Sequence, residues 1–220
     1  RDCLLSRGLG DVYKRQRFSC PDRNAVFWWY STPACFGAIF YDQRNGALCV
    51  IAAVYGNRAY EDTLVQMQDY AQTGGFRVIA AISAVAEHSI IRKYASGRPD
   101  LNDYKELAEF GDRILEKDAS GALSTPVVPG NRPYKKAGAG MIPKADDTCT
   151  ACGLCARKCP AGAISPDQLK LCDKSKCISC MRCVSICPVH ARKVSQLMTS
   201  VAAAALKKAC SVEKENELFI

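Results

Sequence analysis

The sequence lacks several features that would assign it to a common functional class. It has no apolar run near the ~18 residues that a membrane-spanning helix needs, and its longest candidates, Ala47–Tyr55 and Val78–Ala86, have the length of buried strands. No signal peptide, DNA-recognition helix or base-stacking pattern is visible. No group of side chains forms an acid, base and nucleophile constellation. We therefore expect a cytoplasmic protein with no membrane span, no nucleic-acid partner and no catalytic residues.

Cysteine, by contrast, is abundant, with 14 residues in a chain of 220. Eight of them form a pattern that occurs twice. The copies are Cys149-x2-Cys152-x2-Cys155-x3-Cys159-Pro160 and Cys177-x2-Cys180-x2-Cys183-x3-Cys187-Pro188, and their internal spacings are identical. Each copy has the bacterial spacing for a 4Fe-4S cluster, in which three nearby thiolates bind three irons of a cubane.

The fourth cysteine of each run is expected to bind the other cluster. Cluster 1 is then held by Cys149, Cys152, Cys155 and Cys187, and cluster 2 by Cys177, Cys180, Cys183 and Cys159. Structural zinc is the alternative, but zinc sites usually use two Cys-x2-Cys pairs separated by a longer spacer. Disulfides do not suit a chain without a signal peptide. The motif therefore predicts two 4Fe-4S clusters side by side in one small core.

The formal net charge of +8 treats all cysteines as neutral. Between Asp146 and Lys193 there are eight Lys or Arg residues and four Asp residues. Each oxidised cluster with its four thiolates contributes about −2. The basic side chains therefore mostly offset the clusters, and the positive charge does not indicate a nucleic-acid surface.

The first half of the chain has an α/β pattern. Residues 1–16 resemble an adapter-derived string, so we expect a non-native leader there and set it aside, with a disordered basic start as the alternative. Strands are predicted at Asn24–Tyr30, Ala47–Tyr55 and Phe76–Ala84, with a helix over Asn57–Gln72. This alternation is typical of a doubly wound parallel sheet.

Two further helices are predicted before the cysteine motifs. Ser89 can cap a short helix that ends at Tyr94, and Asp100 can cap a longer one. The apolar positions of the longer helix that fit the helical period are Leu101, Tyr104, Leu107, Ala108 and Leu115.

Three segments carry a resemblance to a known family. They are Tyr55-Gly56-Asn57-Arg58-Ala59-Tyr60-Glu61-Asp62, Ala86-Glu87-His88-Ser89-Ile90 and Pro129-Gly130-Asn131-Arg132-Pro133-Tyr134-Lys135-Lys136. Together with the double cysteine motif, they are similar to flavodoxin-like proteins fused to a bacterial-type dicluster ferredoxin, the EFR-type ferredoxins. The resemblance covers roughly residues 45–220. It implies an incomplete, N-terminally truncated flavodoxin-like α/β domain followed by a small α+β ferredoxin domain.

The resemblance also implies a place for FMN, in the loop formed by Tyr55, Gly56, Asn57, Arg58 and Tyr60. Ligands of open α/β sheets lie beyond the carboxyl ends of the strands, where this loop begins. A helix-start turn capped by Asn57 is the alternative. No Ser/Thr- and Gly-rich phosphate loop precedes residue 24, so we predict that this fragment binds FMN poorly and that the intact protein binds it. His88 could face a flavin or be a satisfied loop histidine.

The rest of the chain divides by composition. We expect a partial flavodoxin-like domain at 17–120, a linker at 121–147 with four prolines and four glycines, a ferredoxin domain at 148–195, and a C-terminal helix and tail at 196–220. The helix is predicted over Val194–Lys208, with Leu197, Val201 and Ala204/Ala205 on one face. Cys172 could serve as a spare cluster ligand.

The predicted function is electron transfer through the two clusters, coupled in the intact protein to FMN and to redox partner proteins. Two alternatives stay open. One is a flavin-dependent reductase of a small acceptor that receives electrons from the clusters. The other is a redox sensor or interaction module whose clusters control binding. An electron carrier fits the residues better than a substrate-specific enzyme.

Overall fold

A computed structural model of the chain describes residues 26–29, 46–135 and 140–220. These residues belong to two compact units. The sheet unit contains the described residues of 26–88, 92–135 and 209–220, and the cysteine unit contains 89–91 and 140–208. The predicted leader lies outside the described residues, as do residues 24, 25 and 30 of the first predicted strand, whereas its residues 26–29 form a strand.

The sheet unit is built on four strands in the order β1 (Val26–Trp29), β2 (Leu48–Tyr55), β3 (Arg77–Val85) and β6 (Glu217–Phe219). β1 and β3 both pair with β2 in parallel, whereas β6 pairs antiparallel with β3. The sheet is therefore mixed, and the prediction of a parallel sheet is wrong for its fourth strand. That strand comes from the far end of the chain and does not follow a strand–helix unit, so the strand–helix–strand pattern could not predict it.

One helix covers each face of this sheet. α1 (Thr63–Thr73) packs Leu64, Met67 and Ala71 against one row of β2 side chains, which includes Ile51. α2 (Leu101–Ala119) packs Phe110 and Ile114 against the other row. Because successive side chains of a strand point to opposite faces, the wholly apolar β2 supplies both cores.

The helix predictions need three corrections. The helix expected from Asn57 begins only at Thr63, and no helix forms over Ser89–Tyr94, which is a series of turns. The capping by Asp100 is confirmed, since its side chain accepts from the backbone N–H groups of Asn102 and Asp103. The predicted apolar stripe is wrong at three of its five positions, because Leu101 is 78% exposed, Leu115 is 55% exposed and Ala108 is also exposed.

Residues 121–135 form no helix or strand, as expected of a linker, yet they pack within the sheet unit. Gln68 donates to the carbonyl of Pro126, at 2.9 Å. Asp62 accepts from the backbone N–H groups of Asn131 and Lys135. These bonds lower the pKa of the Asp62 carboxyl, with the Lys135 bond as the largest cause.

The cysteine unit has only short elements. They are β4 (Lys144–Ala145), α3 (Leu154–Arg157), a 3-10 turn (Pro166–Gln168), α4 (Arg182–Ser185) and β5 (Arg192–Lys193), followed by α5 (Gln196–Cys210), which ends in the sheet unit. β4 and β5 pair antiparallel. The prediction of a C-terminal helix is confirmed, but not its apolar face, since Leu197 and Val201 are exposed and Ala203 and Cys210 are buried.

Candidate metal centre

The two cysteine motifs fold into the same local structure twice. α3 and α4 are both four residues long, and they begin at the equivalent positions of their motifs, Leu154 and Arg182. Each is preceded by a residue in the left-handed conformation, Gly153 at φ 71° and Met181 at φ 57°. The internal repeat read from cysteine spacing is thus also a repeat of backbone geometry.

Left-handed residues occur at matched positions throughout the two copies. The pairs are Ala151 with Ser179, Gly153 with Met181, and Gly162 with His190. Non-glycine residues adopt this conformation rarely, and it costs roughly 1–2 kcal/mol per residue. Alternating right- and left-handed residues turn successive N–H groups to one side, which forms the concave anion site found around many iron–sulfur clusters. The strain is consistent with a backbone shaped to enclose negative sulfur.

Several N–H groups already point at cysteine sulfurs. The N–H of Ala163 donates to Cys159 Sγ at 3.3 Å, and that of Ser179 donates to Cys177 Sγ at 3.4 Å. Burial opposes ionisation of Cys187, but N–H donors, first that of Arg192 and then those of Val189 and Ala191, outweigh it and lower the pKa of this thiol. Hydrogen bonds of this kind stabilise a thiolate and tune a cluster bound to it.

A pocket in this unit brings together the cysteines assigned to cluster 2. Cys177, Cys180 and Cys183 line it with Cys159 of the first motif, which is the crossover that the sequence predicts. The remaining walls are largely apolar. Burial raises the pKa of Cys183 to about 12, with Arg192 acting in the opposite direction, and burial also raises that of Cys180. Thiolates in such a place need positive charge beside them.

Cys172 lines the same pocket as the four cysteines assigned to cluster 2. Burial is the main reason that its pKa rises to about 12, and a hydrogen bond with Cys177 adds to the effect.

The cysteines assigned to cluster 1 are brought to one region by the β4–β5 pairing. The N–H of Asp146, just before Cys149, donates to the carbonyl of Ala191, just after Cys187, at 2.9 Å. Cys152 is exposed, whereas Cys149, Cys155 and Cys187 are half-buried. Three of the four predicted ligands are therefore partly shielded from solvent, and one is exposed at the surface.

The chemistry of the donor set fits a cluster. Among residues 46–135 and 140–220, three buried side-chain nitrogen or oxygen atoms have no hydrogen-bond partner, and all three lie in the cysteine unit: Ser179 Oγ, Arg182 Nε and Arg192 Nε. Buried donors are rarely left unpaired, so each calls for an acceptor. Arg182 also lines the pocket of the cluster 2 cysteines, where sulfide and thiolate sulfur would supply acceptors.

The side chains are not arranged to bind a single metal ion. Within the described ranges, no three His, Cys, Asp or Glu side chains are grouped so that they could hold one ion. The thiolates of a cubane bind four different irons, so they are spread more widely than the ligands of one ion, and this result is compatible with clusters.

The loop predicted to face FMN is engaged with residues 210–217. Asn57 is 2% exposed, its Nδ2 donates to the carbonyls of Cys210 and Val212, and its Oδ1 accepts from the N–H of Lys214 at 2.9 Å. The Tyr60 hydroxyl donates to Glu217 at 2.8 Å.

The other members of the loop also have protein neighbours. Tyr55 meets the ring of Tyr60 edge to face, at 5.2 Å between centroids, and Arg58 pairs with Glu61. A Cβ on Gly56 would come within 2.6 Å of the His88 backbone, so this position requires glycine. His88 is half-buried, and burial is the main cause of its lowered pKa.

Sequence reasoning missed two important residues. Asn216 accepts from the N–H of Val85 and donates to Asp103 and Glu106, which fixes β6 to the sheet unit. The other is Arg192, a buried arginine in β5. Aligning the two motifs could have identified Arg192, because the equivalent position after the first motif is the apolar residue Ile164.

Comparison with known proteins finds a family match for one part of the chain. Residues 148–192 match the family model of a 4Fe-4S dicluster domain, and they form a ferredoxin-type domain. No curated protein and no solved structure matches the chain. No helix in residues 46–135 and 140–220 is long and apolar enough to cross a membrane.

Proposed function

We propose that this chain transfers single electrons through two 4Fe-4S clusters. Cys149, Cys152, Cys155 and Cys187 would hold cluster 1, and Cys177, Cys180, Cys183 and Cys159 would hold cluster 2. The observation that carries the proposal is the pocket in which Cys159 joins the three cysteines of the other motif. When bound, each cluster supplies one-electron redox chemistry.

The residues of this chain supply ligation, burial and hydrogen bonds. The N–H groups of Ala163 and Ser179 donate to ligand sulfurs, which stabilises their negative charge. The apolar walls of the pocket, which include Ile164 and Met181, keep water from cluster 2. Cys152 is the exposed ligand of cluster 1, so we propose its surroundings as the place where a redox partner protein exchanges electrons.

Anaerobic reconstitution tests this function directly. We expect about eight irons and eight sulfides per chain, and two interacting spins in the EPR spectrum of the reduced protein, because two cubanes lie in one small unit. Stoichiometric zinc in protein purified anaerobically, or about four irons with a single non-interacting spin, would refute the two-cluster proposal.

Coupling to a flavin is a second proposal, supported by the resemblance and by the carboxyl edge of the sheet. The parallel strands β2 and β3 end side by side at Tyr55 and Val85, which is where ligands of open α/β sheets bind. In an FMN-bound form, Tyr55, Gly56, Asn57, Arg58 and Tyr60 would face the ring. A redox role for the whole protein would then join one-electron and two-electron chemistry.

For the chain in hand we predict weak FMN binding. The side chains of Asn57 and Tyr60 already form hydrogen bonds with residues 210–217. No Ser/Thr- and Gly-rich phosphate loop precedes residue 24. Titration followed by quenching of FMN fluorescence should give a dissociation constant above the micromolar range. Sub-micromolar binding, abolished by Tyr55→Ala but not by the remote Tyr104→Ala, would contradict this prediction.

A further inference from the structure

The three unpaired buried donors all occur in the half of the repeat that carries the second motif. Aligning the two motifs, with Cys177 on Cys149, maps each donor onto an apolar residue of the first copy: Ser179 onto Ala151, Arg182 onto Leu154 and Arg192 onto Ile164. The two copies therefore have the same backbone and different polarity. Side chains at such positions are one source of difference between the two cluster environments.

Arg192 is the most consequential of the three because its charge is buried. It is 2% exposed, its Nη1 donates to the carbonyl of Pro143 at 3.1 Å, and its Nη2 donates to the carbonyl of Leu169. Its Nε has no partner. Arginine keeps its proton in proteins, so a full positive charge is held inside the cysteine unit.

The side chain of Arg192 is anchored beside the pocket that the cysteines assigned to cluster 2 line. Pro143, which anchors Nη1, lines the pocket of Cys159, Cys177, Cys180 and Cys183. The same guanidinium lowers the pKa of Cys183 against the effect of burial. The guanidinium also acts on Cys187, a ligand assigned to cluster 1, but there it is the smallest cause of the lowered pKa, whereas for Cys183 it is the largest cause that opposes burial.

The backbone contribution is matched in the two halves. Ala163 donates its N–H to Cys159 Sγ at 3.3 Å, and the backbone N–H of the equivalent residue Ala191 lowers the pKa of Cys187. Ile164 and Arg192 follow these alanines, and both are buried. The two halves thus differ by one buried charge at the Ile164 and Arg192 positions, although the preceding alanine N–H acts on a cysteine sulfur in both.

We propose that Arg192, assisted by Ser179 and Arg182, makes the two clusters inequivalent and gives cluster 2 the higher reduction potential. This inference rests on the proposed function. Reduction adds one negative charge to a cluster, and a buried positive charge nearby stabilises that state. Salt screens a buried charge poorly, so the effect persists at physiological ionic strength. Cluster 2 is then the first to accept an electron.

Wild-type protein provides the first test. Film voltammetry or an EPR-monitored redox titration of protein with about eight irons should resolve two one-electron steps at different potentials. A single step in which both clusters reduce at the same potential would overturn the inference while leaving two-cluster electron transfer intact. Failure to bind iron and sulfide would instead refute the proposed function.

Charge variants provide the second test. Arg192→Met should shift the higher of the two potentials to a more negative value and move the lower one less. Arg192→Lys keeps the charge while changing the hydrogen bonds, so it should stay close to wild type. Lys193→Met is the matched control, because Lys193 is the neighbouring cation but is exposed and paired with Asp146 at the surface, so removing it should shift neither potential appreciably.

A purely structural role would give a different pattern. If Arg192 only tied Pro143 and Leu169 together, Lys and Met variants would be impaired alike in iron content and their remaining potentials would match wild type. That outcome, or unchanged potentials in an Arg192→Met or Arg192→Gln variant that holds about eight irons, overturns the inference.

Discussion

Replacing Cys159 with alanine is expected to abolish the cluster of the second motif, although Cys159 belongs to the first. The structure places Cys159 in the pocket lined by Cys177, Cys180 and Cys183. Loss of one of four thiolates leaves one iron of that cubane without its protein ligand. Iron content should fall from about eight to about four per chain, and the interaction between two spins should disappear from the EPR spectrum.

Double variants identify which ligands share a cluster. Adding Cys180→Ala to Cys159→Ala should remove little further iron, because both residues are assigned to cluster 2. Adding Cys152→Ala to Cys159→Ala should remove nearly all iron, because it damages the remaining cluster. Such non-additivity is expected only for residues that act on one site.

Cys49→Ala is the control for these variants, since Cys49 is a buried thiol of strand β2 in the sheet unit and should not affect iron content. The reverse double-variant result would show that each motif binds its own cluster without crossover. Cys159→Ala would then lower the iron of the first motif, and the pairing with Cys152→Ala would be the one that removes little more.

Asn57→Ala is expected to destabilise the sheet unit severely. The substitution removes three hydrogen bonds and leaves the carbonyls of Cys210 and Val212 and the N–H of Lys214 unpaired. At about 1–1.5 kcal/mol for each bond, the loss is about 3–5 kcal/mol. Asn57 is also left-handed, at φ 59°, where alanine costs roughly 1 kcal/mol more. Such a loss is a large part of the roughly 5–15 kcal/mol that stabilises a typical domain.

Asn57→Gly separates the two causes. Glycine removes the same hydrogen bonds but adopts the left-handed conformation freely, so it should be about 1 kcal/mol less damaging than alanine. The midpoint of urea unfolding measures the difference, followed by tryptophan fluorescence because both tryptophans lie in β1. Asn102→Ala is the control, since Asn102 is exposed and only its backbone N–H bonds to the capping Asp100. A midpoint for Asn57→Ala equal to that of Asn102→Ala would show that Asn57 does not hold residues 210–214 in place.

The cysteine unit was largely predictable because its information is local. The short spacings within each motif determine which thiolates can share a cubane, and the repeat of the motif carries over to helix positions and left-handed residues. The polarity difference between Ile164 and Arg192 is also visible in the sequence. The burial of the Arg192 charge could not be predicted, because it depends on hydrogen bonds to the carbonyls of Pro143 and Leu169. These residues lie 49 and 23 positions away in the sequence.

The sheet unit was predictable in its strands and less so in its contacts. β2 and β3 are continuous apolar runs, and such runs indicate strands buried on both faces. Which side of α2 is buried follows from tertiary packing, which selects Phe110 and Ile114 over Leu101 and Leu115. From the sequence, Asn57 fits either a helix cap or a ligand-binding loop. Its hydrogen-bond partners, Cys210 and Val212, lie more than 150 residues later in the chain. Contacts at that distance leave no periodic signal in one sequence.

The position of β6 has a consequence for biosynthesis. Glu217–Phe219 pair with β3 and follow the whole cysteine unit in the chain. A ribosome therefore exposes β1, β2 and β3 long before the strand that pairs with the outer edge of β3 has been translated. Until then the edge of β3 is open, and the cysteine-rich segment emerges while its neighbour is unfinished.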